Sequence, residues 1–81
     1  MGYVVQEENS QTGEVTRRGP FVTEQEARMV LANAVEQAYD FNPQLAMANV
    51  RQEVEDAVRD GRKDCCDAKG NLVCRYSIEQ E

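Results

Sequence analysis

The stretch NPQLAMANVRQEVEDAVRDG, residues 42–61, constrains this chain more than any other. Asn42 can serve as an N-cap, and Pro43 suits the first helical position, where its missing N–H is no loss. Gly61 can take the left-handed conformation that ends a helix. At about 100° per residue, Pro43, Ala46, Met47, Val50, Val54, Ala57 and Val58 fall within one arc of about 120°. The spacing therefore predicts a helix over 42–61 with a single buried stripe. Glu53, Asp56 and Asp60 sit on one flank of it beside Asn49, while Arg51, Glu55 and Arg59 sit on the other at i,i+4 spacing. Leu45 falls off the stripe and is expected to be exposed. The remainder of the chain must cover the stripe.

A first helix is announced by Thr23-Glu24-Gln25-Glu26, a capping box in which the threonine hydroxyl meets the N3 amide. It is expected to run to about Tyr39, with Ala27, Val30, Leu31, Ala34, Val35 and Ala38 as its buried stripe. Glu26, Asn33, Glu36 and Asp40 line one side. Asp40-Phe41-Asn42-Pro43 breaks the helix, because the residue before proline is pushed out of helical geometry. So short a connection makes the two helices packed neighbours.

Hairpins flank the helices. Residues 3–9 and 15–22 read as paired strands around Ser10-Gln11-Thr12-Gly13, with Gly13 supplying a positive φ. If Ser10 faces Glu14, then Glu7 faces Arg17 and Tyr3 faces Phe21. Tyr3, Val5, Val15 and Phe21 are then core-facing, and Val4, Gln6, Glu8, Thr16 and Arg18 lie on the wetter side. At the other end, residues 64–66 and 72–79 pair around Asp67–Asn71. Leu72, Cys74, Tyr76 and Ile78 share one face; Val73, Arg75, Ser77 and Glu79 share the other. The element order is β-β-α-α-β-β. The expected architecture is a two-layer α+β fold, an antiparallel sheet with two helices on one face, in a single compact domain over residues 1–81. The spacing leaves strand order open.

Chemistry has little to work with. There is no histidine, which removes the commonest general base. No Walker or dinucleotide glycine pattern occurs. Cys65, Cys66 and Cys74 are the only soft ligands, and their spacing does not match a zinc site. The expectation is Cys66 and Cys74 in the core and Cys65 outward, with no catalytic residue, no cofactor and no metal. A charge of −6 at pH 7 argues against direct nucleic-acid binding, which needs a basic footprint, and against anionic membrane surfaces. The absence of a signal-like leader and the odd cysteine count point to the cytoplasm.

What remains is the acidic surface. Glu53, Asp56 and Asp60 on the second helix, Glu36 and Asp40 on the first, and the apolar Leu45 form the candidate partner-binding set, with Met29 and Val73 as further apolar anchors. A solvated charged face is the plain alternative. The functional expectation is a small acidic protein-binding module whose partner has a basic surface. In size and charge alone the chain resembles small phage and mobile-element inhibitors of host defence, the anti-CRISPR proteins among them. No motif carries that resemblance, so no residue is transferred. Its implication is an inhibitor of a nucleic-acid-binding host complex. Two other readings stand beside it: a homodimer pairing through the edge of the last strand, and a small cysteine-based metal-binding domain.

Overall fold

The computed structural model describes residues 2–45 and 49–81. Strands β1 (Tyr3–Asn9) and β2 (Val15–Phe21) precede helices α1 (Glu24–Phe41) and α2 (Val50–Asp60), and strands β3 (Arg62–Cys66) and β4 (Leu72–Gln80) follow. The fold is α+β, with one antiparallel sheet in the order β2-β1-β4-β3. The last strand therefore lies inside the sheet, hydrogen-bonded to β1 and β3. The free edge expected along it belongs instead to β2 and β3.

One cluster joins the two layers. Ala27, Leu31, Ala34 and Val35 of α1 and Ala57 of α2 pack against Val5, Cys65, Val73, Cys74 and Tyr76 of the sheet. Leu31, Val35, Val5 and Val73 are fully buried, and each such side chain contributes about 1.5–3 kcal/mol of transfer free energy. Alanines at the helix contacts keep the layers close. Arg28 of α1 ties the helices together. Its guanidinium pairs with Glu24 at 2.8 Å and donates to the carbonyl oxygens of Val58 and Arg59. It thereby places a cation on the carbonyl end of α2, where the helix dipole favours one.

Local signals place the helix ends, with one exception. The Thr23 hydroxyl accepts from the Glu26 amide at 3.2 Å and opens α1 as its sequence requires. Gly61 closes α2 with φ 70°, a conformation that penalises any residue with a Cβ. The exception is the start of α2. Asn42 ends α1, its amide donating to the Ala38 carbonyl oxygen. Its side chain then accepts from the Gln44 amide, forming a turn through Pro43. The true N-cap is Asn49, which accepts from the Gln52 amide at 3.2 Å. Asn-Pro is compatible with both a helix start and a post-helix turn, and here the turn prevails. The expected stripe positions Ala46 and Met47 lie outside the described residues. Leu45 is not exposed as expected: it is 8% exposed, belongs to the core cluster and bridges to Asp67.

The hairpins depart from simple alternation at two bulges. In the first, Asn9 faces Glu14 across a four-residue turn, so Glu7 opposes Thr16 and Gln6 opposes Arg17. This shift by one residue puts Val15 opposite Glu8, half exposed and outside the core. An extra residue at Gly19-Pro20 then restores the expected Tyr3–Phe21 pair. Gly19 has φ 119°, and a Cβ there would meet the Tyr3 carbonyl oxygen at 2.9 Å. Val4, opposite this bulge, is buried and not on a wet face. In the second hairpin a bulge lies between Cys65 and Cys66. It turns both Val73 and Cys74 inward, which removes Val73 as an exposed anchor. Cys74 is buried as expected, but Cys65 is buried and not outward, and Cys66 is only half-buried.

Candidate interaction surface

Charge is divided between the layers. The two helices carry eight acids and three bases, while the rest of the chain carries seven acids and six bases. The helical layer thus holds −5 of the −6, and the sheet with its loops is nearly neutral.

The five candidate acids fall into two groups that face apart. On α2, Glu53 turns toward the sheet edge and forms an ion pair with Lys63 of β3. Asp56 accepts from Gln52 at 2.9 Å and lies 3.3 Å from Arg59. Asp60 takes two hydrogen bonds from Arg59, at 3.1 and 3.4 Å. The hydrogen bond from Arg59 holds the Asp60 carboxyl below its ordinary range. Each acid of this flank therefore has a partner within the chain.

Glu36 and Asp40 differ. Both are exposed on α1, one helical turn apart, and among the described residues neither side chain forms a hydrogen bond or an ion pair. They line a cleft of about 340 Å3 between the helices, opposite Val50, Arg51, Val54 and Glu55 of α2. Arg51 and Glu55 pair with each other at 3.6 Å, so the two α1 carboxylates are left unneutralised. Met29 and Asn33 fall with them in an arc of about 60°, and Met29 is 63% exposed. The cleft accordingly offers a valine-lined wall and two carboxylates at its rim. A lysine or arginine side chain suits such a site, its aliphatic stem on the valines and its head on the acids.

Phe41, at the end of α1, is 82% exposed. Helical periodicity continues the stripe from Ala34 and Ala38 to Phe41, so sequence spacing gives no hint of this exposure. It lines a separate cleft of about 250 Å3 that includes Glu7, Arg18 and Tyr76. There the Tyr76 hydroxyl donates to Glu7 at 3.1 Å, and Arg18 approaches the same carboxylate at 3.9 Å. Burial pushes the hydroxyls of Tyr39 and Tyr76 up from their ordinary values. Among the described residues, no group of three or more cysteine, aspartate or glutamate side chains converges to hold a metal ion. No described helix is long and apolar enough to cross a membrane. Compared with models of protein families, with curated proteins and with solved structures, the chain matches none.

Proposed function

We propose that the chain is a non-catalytic binding module whose helical layer docks on a basic protein surface. The observation that supports this reading is the concentration of −5 of the −6 net charge on two adjacent helices, with Glu36 and Asp40 unneutralised at the cleft between them. Electrostatic complementarity of this kind raises association rates and selects partners more than it raises affinity. A nucleic-acid-binding groove is one such basic surface, because it must neutralise phosphates. The specific form proposed is an inhibitor that occupies such a groove, in keeping with the resemblance in size and charge to small phage inhibitors of host defence.

The test is retention of proteins from a lysate by the immobilised chain, compared with its Glu36→Lys/Asp40→Lys variant. A protein retained by the first and not the second is expected. Its binding should weaken steeply with salt, and an oligonucleotide added in excess should displace it. Retention that is equal for both chains and indifferent to salt would sink the reading. Salt-sensitive retention that the oligonucleotide leaves intact would keep the binding module and remove the groove-occupying inhibitor.

A further inference from the structure

The second hairpin brings two of the three cysteines face to face. Cys65 of β3 and Cys74 of β4 are register partners, and both are buried. The Ile78 amide donates to the Gly61 carbonyl oxygen at 3.0 Å, which sets the phase of the ladder. Counting from it, Lys63–Tyr76 and Cys65–Cys74 are hydrogen-bonded pairs. The Cα atoms of such pairs are about 5.5 Å apart, inside the range of about 4.4–6.8 Å that a disulfide spans. Both side chains belong to the same buried core cluster. Cys66 is adjacent in sequence, but the bulge sets it opposite Leu72.

We propose that Cys65 and Cys74 form a redox site, closed to a cross-strand disulfide by a small-molecule disulfide of the oxidised glutathione type. Cys74, as thiolate, attacks one sulfur of the oxidant; the oxidant's S–S bond breaks and one thiol leaves. Cys65 then gives its proton to solvent and attacks the Cys74 sulfur, which expels the second thiol. The protein loses two electrons and two protons, and both are recovered in two molecules of reduced thiol. The neighbouring Cys65 side chain lowers the Cys74 thiol from its ordinary value, which suits the attacking role. The neighbouring Cys74 side chain and burial push the Cys65 thiol up, which suits the resolving role. Access runs through the sheet edge, because β3 is a five-residue edge strand and short edges open locally at low cost. The bond would staple β3, which follows α2 directly through Gly61, to the interior strand.

The full chain is incubated with oxidised glutathione under native conditions, its free thiols are counted, and its peptides are mapped by mass spectrometry. Free thiols should fall from three to one, with Cys65 and Cys74 peptides linked and the change reversed by reductant. Cys66→Ser should still close, leaving no free thiol. Cys65→Ser and Cys74→Ser should form no intrachain crosslink, and only in proteins that close should the melting temperature rise on oxidation. A crosslink through Cys66, glutathione adducts alone, chain-to-chain disulfides alone, or thiols that react only after denaturation would overturn the proposal. Should either buried-cysteine variant fail to fold, the peptide maps of the wild-type chain and Cys66→Ser decide it.

Discussion

Replacing Leu45 with alanine removes a buried side chain from the core cluster, at an expected cost of about 2–4 kcal/mol, read from the denaturant midpoint. Met29→Ala, at a side chain 63% exposed, should change stability by less than about 0.5 kcal/mol. A result with the two reversed would mean that Leu45 is the exposed residue a helix over 42–61 requires. Single-residue burial was the least legible level of the sequence. Periodicity places Leu45 and Val73 at a surface, and a turn and a bulge respectively carry them inward. Cys65 turns inward for the same reason. A bulge adds one residue to one strand, and beyond it every side chain switches sides. Composition holds no signal for that extra residue, whereas the hydrogen-bonded register shows it directly.

Elements were legible where a local hydrogen-bonding signal agreed with the apolar period. Thr23 and Glu26 fixed the start of α1, and Gly61 fixed the end of α2. The start of α2 is ambiguous in sequence because Asn42 and Asn49 are both good caps and Pro43 favours Asn42, whereas the cap is Asn49. Asn49→Ala should therefore destabilise the protein by about 1 kcal/mol, the usual cost of losing an N-cap, with a matching loss in the chemical-denaturation midpoint. No change would place the helix start elsewhere. The turn between β3 and β4 gives a prediction about pH. The carboxylate of Asp67 accepts from the backbone amides of Asn71 and Lys69, both at 2.9 Å. These bonds hold its carboxyl below the ordinary range. A group lowered in the folded state stabilises the fold above its unfolded value of about 4, and that stabilisation is lost as pH falls through the lower folded value. Wild-type protein should therefore be more stable than Asp67→Asn near neutrality, and the gap should narrow progressively below pH about 4. A gap that holds constant or widens in acid would show that the charge of Asp67 does not support the turn.

For the whole molecule, the sheet order brings the two helices together over one face and gathers the acids of both into one layer. The sequence revealed the acids and the two-layer fold. It did not reveal that Glu53, Asp56 and Asp60 are answered by Lys63 and Arg59, while Glu36 and Asp40 are not. The Glu53–Lys63 pair depends on β3 lying under α2, which no local pattern specifies, whereas Arg59 reaches Asp56 and Asp60 along its own helix. The division leads to a test that separates fold from surface. Each acid-to-lysine reversal adds two positive charges, so Glu36→Lys/Asp40→Lys takes the net charge from −6 to −2. Neither side chain has a partner to lose among the described residues, and the reversal eases repulsion within the helical layer. The variant should be at least as stable as the wild-type chain at low salt. The two should converge as salt rises and the screening length drops below about 10 Å. Asp56→Lys should also stay folded, because Asp56 contributes only surface contacts to Arg59 and Gln52. Val54→Asp differs in kind: it sets an unpaired charge against the core cluster and should unfold the domain. Thermal melts of the four proteins at low and high salt read all of this. If the double reversal destabilises the fold at low salt, Glu36 and Asp40 are structural acids. The surface left open for a partner would then have to lie elsewhere, with the exposed Phe41 at the end of the same helix the first residue to examine.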